Sequence, residues 1–311
     1  MPRLKTLAAA LLAGGALLVA AALAQSTDHW TFGAMMPSAR TEIAVAEVGG
    51  KIYVVGGFRG ERELEVYDPA ADRWSRGASI PRPLHHAAAV GLKDRLYVVG
   101  GFVEGWTPTD DVLEYDPSSD RWRRLTALPT VRGALAAAVL DGTIHAVGGI
   151  GWRGRNTPAH EVYDPAANQW TALAYLPTAR DHLAAAAIDG RLYAVGGRID
   201  GNYSRNLASN EAYDPATNRW EQRAPMLTAR SGVAAAVLGG RMFVFGGEAP
   251  AGTFNQAQAY DTKSDSWSSH ARMPTPRHGL GAAATAGRIY VISGGPTPGD
   301  SVSAANEIFV P

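Results

Sequence analysis

No cysteine occurs among the 311 residues of the chain. That absence excludes disulfides, thiolate zinc sites, iron–sulfur clusters and a thiol nucleophile. Net charge is lacking too, since 29 Lys and Arg balance 29 Asp and Glu. With no basic run in the body of the chain, the cationic footprint of a nucleic-acid binder is missing. Charged residues make up only 19%, whereas hydrophobic residues reach 46%. Such a chain can bury a large core and is not disordered. What it has in quantity is turn formers, 35 Gly and 19 Pro, which suit short strands and tight turns better than helices.

The first residues read as an address. Arg3 and Lys5 precede an uncharged stretch from Leu7 to Ala24, mostly Leu, Ala and Val, which ends in Ala22-Leu23-Ala24 before Gln25. A positive start, an apolar centre and a small-residue site predict a secretory signal peptide over residues 1–24. Cleavage near Ala24-Gln25 would leave residues 25–311 as a single domain, periplasmic or secreted. The apolar stretch is also just long enough for an uncleaved anchor, but Gly14-Gly15 interrupts it. No second stretch could span a membrane, so the exported body is expected to be a soluble monomer without membrane or nucleic-acid partners.

A repeat of about 48 residues organises the rest, and such a period signals a repeat architecture. Gly pairs occur at Gly56-Gly57, Gly100-Gly101, Gly148-Gly149, Gly196-Gly197, Gly246-Gly247 and Gly294-Gly295. Tyr-Asp-Pro starts at Tyr67, Tyr115, Tyr163 and Tyr213, with Tyr260-Asp261 as a weaker copy; Trp follows at Trp74, Trp122, Trp170, Trp220 and Trp267. Ten residues after a Trp comes a recurring slot, filled by Arg40, Leu84, Arg132, Arg180, Arg230 and Arg277. Only the segment between the Gly pair and the Tyr varies in length.

Strands follow from these spacings. After each slot runs a small apolar strand, such as Leu183 to Ile188, then a turn such as Asp189-Gly190, then a β-branched and aromatic strand ending in Gly-Gly. A third strand stops at Tyr-Asp-Pro, and a fourth starts at the Trp. Four antiparallel strands per repeat make a propeller blade. The first strands are rich in Ala and Gly (Ala87 to Ala89, Ala184 to Ala187, Ala282 to Ala284), as crowding around one axis requires. The last unit ends at Asn306–Pro311 without a fourth strand or Trp, and Asp28-His29-Trp30-Thr31-Phe32 supplies both. The expectation is an all-β, six-bladed propeller whose ring is closed by the N-terminal strand of the mature chain, leaving no open edge.

The order Gly-Gly, Tyr-Asp-Pro, Trp at this period closely resembles the kelch repeat, over nearly all of residues 28–311. Exported bacterial kelch proteins with six blades include the sialic acid mutarotases, which this chain resembles in export signal and blade count. The radical-copper oxidases built on kelch propellers need a cysteine cross-linked to a tyrosine, so that chemistry is excluded here.

Loops leaving strands two and four share one face, and only that face carries length variation; variable loops on a rigid scaffold are where function usually sits. Arg40, Arg132, Arg180, Arg230 and Arg277 are predicted to ring the channel mouth there, offering forked donors to an anionic or polyhydroxylated ligand. They can equally be scaffold residues, because one residue type in five of six blades looks architectural. Breaks in the symmetry point better. Just after the slots stand Glu42, His85, His86, Asp181, His182 and His278, titratable groups where small residues would suffice. The variable loops add Trp106, Trp152, Arg198, Tyr203 and Glu248, the two Trp lying outside the repeat register. His85 and His86, as strand neighbours, should point to opposite faces and not chelate together; no metal cluster and no cofactor are expected.

Two function classes follow. One is a binding module holding a protein, peptide or glycan on the variable-loop face. The other, implied by the mutarotase resemblance, is a cofactor-independent enzyme on an acidic sugar, with Glu42, Asp181, His182 or Glu248 as acid and base and the arginines as clamp.

Overall fold

A computed structural model describes residues 28–311; the expected leader, residues 1–24, lies outside them. Six four-stranded antiparallel sheets surround a channel. The first blade runs outward through Ala44–Val48, Lys51–Val55, Leu64–Asp68 and Arg73–Arg76. The next four repeat that plan. In the sixth, Gly281–Thr285, Arg288–Ile292 and Asn306–Val310 are joined by His29–Phe32 from the other end of the chain, with Trp30 opposite Phe309 as Trp74 is opposite Tyr67. The only helical turns among the described residues are two short 3-10 turns, Glu104–Trp106 and Trp152–Gly154. No helix among the described residues is long and apolar enough to cross a membrane.

The core lies between blades rather than within them. Each of six apolar clusters draws on two neighbouring blades; Val55 and Leu64 of the first, for example, pack with Leu96 and Leu113 of the second. Inner strands carry small residues because six of them line one narrow channel: Ala89, Ala137, Ala185, Ala235 and Ala282 face it. Every outer Trp turns its indole N–H to a carbonyl of the preceding blade, from Trp74 to Ala34 at 2.8 Å through to Trp30 to Ala271 at 2.8 Å. The Tyr before it bonds a residue five positions on, as Tyr67 does with Asp72, and that carboxylate accepts the N–H of Ala34. Asp28 does the same for Ala271 in the last blade. So one motif ties each blade to its predecessor, and the chain start completes the circle.

The Gly pairs make the next link inward. In the first five blades the second Gly donates its N–H to the slot residue of the following blade, as Gly57 does to Leu84 at 2.9 Å and Gly149 to Arg180 at 2.8 Å; in the sixth Gly294 does so to Arg40. Both members have positive φ (59° and 88° at Gly56 and Gly57), and a Cβ on Gly56 would collide with the Leu84 carbonyl oxygen. Glycine meets both demands here; in the sixth blade Ser293 takes the equivalent place at φ 58° and bonds the Arg40 carbonyl through its hydroxyl.

Candidate functional site

The five repeated arginines do not ring the channel mouth. Arg40, Arg132, Arg180, Arg230 and Arg277 are each 0% exposed. Their side chains turn into the blade and bond the carbonyl of the Gly-pair strand, as Arg40 does with Gly56 at 2.8 Å and Arg132 with Ala146 at 3.0 Å. Four meet a third-strand carboxylate: Arg40 with Glu65 at 2.7 Å, Arg132 with Glu161 at 2.5 Å, Arg180 with Glu211, and Arg277 with Glu307 at 2.7 Å. Their forks are spent on the protein, so they cannot clamp a ligand in the channel. In the fifth blade Gln258 takes the carboxylate's place in the third strand, and burial pushes the Arg230 guanidinium down to about 9.

What does reach the axis is set by a ring of backbone bonds. Two residues after each slot stand Glu42, His86, Ala134, His182, Gly232 and Gly279. Each donates its N–H to the same position in the preceding blade: His86 to Glu42, Ala134 to His86, His182 to Ala134, Gly232 to His182, Gly279 to Gly232, and Glu42 to Gly279, at 2.8–3.0 Å. The six bonds close on themselves. All six residues adopt positive φ, between 50° and 66°. This conformation costs a non-glycine residue roughly 1–2 kcal/mol. It also aims the side chain inward. His86 therefore breaks strand alternation, and the expectation that His85 and His86 part to opposite faces fails: their Nδ1 atoms lie 2.7 Å apart.

The structure brings Glu42, His86, Asp181, His182, Arg198, Glu248 and His278 into one buried network. His86 Nε2 is 3.2 Å from Glu42. His278 Nε2 lies 3.6 Å from Glu42 and 3.7 Å from Glu248. Arg198 reaches Glu248 at 2.5 Å, Asp181 at 3.3 Å and His182 Nε2 at 2.7 Å. Arg offers no lone pair, so His182 accepts at Nε2 and carries its proton at Nδ1, where it bonds Asp181. Burial pushes the Asp181 carboxyl up, but the hydrogen bond from His182, with the Asn156 and Gly201 N–H donors, outweighs it and holds Asp181 below the usual range. Burial brings His85 down to about 4. Burial, and then the neighbouring His182 and His85 rings and the Arg198 guanidinium, disfavour a proton on His86 and hold it well below the imidazole range, so both rings are neutral at pH 7. Two groups could hold a metal ion: Glu42, His86 and His182, and Glu42, Glu248 and His278, with donor atoms within 4.8 Å of one another.

Beside this network lies a cavity of about 410 Å³ bounded by Phe58, Glu61, Pro83, His85, Val103, Glu104, Gly105 and Trp106. Trp106 is 54% exposed and stands on its 3-10 turn against Phe58, with ring centres 5.7 Å apart. Trp152 is 62% exposed on the next blade's loop. Tyr203 covers the Arg198 guanidinium at 5.7 Å.

The Attractin/LZTR1 beta-propeller model matches residues 52–298. The chain belongs to the Attractin/LZTR1 beta-propeller family. This Attractin/LZTR1-type propeller also superposes on the solved structure of YjhT with a TM-score of 0.78, over 88% of this chain and 95% of that one, at 15% identity. At that identity the likeness is one of fold. No curated protein matches the sequence significantly. Phe58, which lines the aromatic cavity of this propeller, and Phe102, which packs behind Trp106 and His85, escaped sequence reading although a signal exists. Each directly follows a Gly pair, at the position Arg198 and Glu248 occupy in blades four and five, and each bridges the residue just after a slot, Thr41 and His85.

Proposed function

We propose that this propeller is an exported ligand-binding module that takes a neutral, sugar-like ligand on its variable-loop face, between the first two blades. The observation that carries the reading is Trp106: an aromatic the blade does not need, half-exposed, over a cavity of about 410 Å³. Its volume falls within the usual range for small-ligand sites, roughly 300–1,000 Å³. Aromatic faces stack on apolar sugar faces, and Glu61 and Glu104 at the rim accept hydroxyl protons. A carboxylate ligand would meet those two acids without an opposing arginine clamp, which disfavours acidic sugars. Export supports a role in handling an external ligand, and the apolar leader supports export.

The enzyme reading keeps one specific support. The axial network holds a His–Asp pair with a fixed tautomer beside two further carboxylates, as acid–base chemistry requires. It has lost its other support, the arginine clamp.

The test is ligand-observed NMR with a panel of neutral and acidic monosaccharides. Neutral sugars should bind at millimolar concentration or better, and Trp106→Ala should weaken binding by about tenfold or more, the scale of a lost aromatic anchor. Binding by acidic sugars alone, no binding at all, or indifference to Trp106→Ala would overturn the reading. Exchange between anomer signals on a bound sugar would select the enzyme.

A further inference from the structure

We propose that the axial end of the channel binds one divalent transition-metal ion, held by Glu42, His86 and His182. All three are buried, and their donor atoms lie within 4.8 Å of one another. His86 Nε2 and Glu42 Oε2 are already 3.2 Å apart, close to the roughly 3.3 Å that separates ligands around tetrahedral zinc. They line a cavity of about 90 Å³ with Ala134, Gly232 and Gly279, space for the ion and bound water.

Two further observations point the same way. Within the ring of left-handed residues, blades three, five and six use Ala or Gly. Blades one, two and four place donor-bearing side chains on the axis at a conformational disadvantage, which a ligand would offset. The outer nitrogens are also held: His182 Nδ1 by Asp181 and His86 Nδ1 by His85. A carboxylate or other acceptor behind each imidazole is how proteins orient metal-binding histidines. Arg198 now donates to the His182 Nε2 lone pair. The ion takes that lone pair when the guanidinium shifts onto Glu248 and Asp181, which already hold its other nitrogens. Two imidazoles and one carboxylate suit zinc and its neighbours, whereas magnesium and calcium prefer oxygen alone.

The test is equilibrium dialysis of the untagged full chain against zinc, with magnesium in parallel, and elemental analysis of bound metal. One zinc per chain should be retained at micromolar free zinc, and no magnesium. His86→Gly and His182→Gly should each weaken retention, and Asp181→Asn should weaken it by about 10–100-fold. Gly232 and Gly279 hold the same ring position, so the Gly variants keep the backbone ring, and a melting curve verifies this. His278→Ala should leave zinc binding unchanged. The proposal is overturned if no zinc is retained, or if His86→Gly and His182→Gly retain it as the native chain does. Loss on His278→Ala with retention on His182→Gly overturns it too, since the ion would then belong to the Glu42, Glu248 and His278 group.

Discussion

Arg132 and Arg198 are both buried and both pair with carboxylates, yet they belong to different parts of the ring. Arg132 has equivalents in four other blades, and its partner Glu161 recurs as Glu65, Glu211 and Glu307. The second blade replaces both members at once: Leu84 fills the slot, Leu113 the carboxylate position, and the two share an apolar cluster. A pair that can be exchanged whole for two leucines serves the scaffold. Arg198 has no equivalent. Its place is taken by Phe58, Phe102, Ile150, Glu248 and Gly295 in the other blades, and its partners come from blades four and five. Repetition marks the girdle that holds the ring, and departure from repetition marks the place where a ligand can be met.

The comparison can be broken most forcefully in the girdle. Glu161→Ala leaves the Arg132 charge buried and unpaired, and should cost about 3–5 kcal/mol. Arg132→Leu with Glu161→Leu, copying the second blade, should cost far less. Equal losses in the two variants, read from urea midpoints, would show that the pair is not exchangeable scaffold. Next comes the incomplete blade. Thr130 and Thr178 donate to their blade's carboxylate, whereas Thr228 faces Gln258 at 3.3 Å, and Arg230 Nε and Gln258 Oε1 lack partners. Gln258→Glu should stabilise by about 1.5–3 kcal/mol, as a hydrogen bond to a charged group does. A lowered denaturation midpoint would contradict this.

At the axis the same measurement should barely move. Glu42→Gly removes a left-handed non-glycine residue, which offsets its lost contacts, so stability should stay within about 1 kcal/mol of native. A loss on the girdle's scale would make the axial acid a structural element. The smallest effect concerns His160, which bonds the Ala174 carbonyl where Asn210 bonds Ala224. Burial brings His145 down to about 4, and burial followed by the His145 charge brings His160 down to about 3. The unfolded chain takes up these protons near pH 6.5, so stability is full above that and falls as the pH drops toward 4 and 3. His160→Asn should flatten part of that acid limb in a melting-temperature series; an unchanged limb would assign it to other groups.

Blade count, strand order, the closing strand at Trp30 and the face bearing the variable loops were all legible in the spacing of Gly-Gly, Tyr and Trp. Each rests on short-range pattern repeated six times, so local preference and global fold agree. Glu42, His85, His86, Asp181, His182 and His278 were also legible as departures from that pattern, with Glu248 and Arg198 read separately from the variable loops. The fate of individual side chains was not. A slot arginine turns inward to strand carbonyls of its own blade, Arg230 included, and in four blades meets a glutamate some 25–31 residues away. Whether His86 follows strand alternation depends on a hydrogen bond to Glu42 in the preceding blade. The sequence by itself determined the ring and where it is irregular. Only the tertiary structure decided which charges are buried as girdle and which meet at the axis, because the sign of φ and the choice of ion-pair partner are settled between strands and between blades.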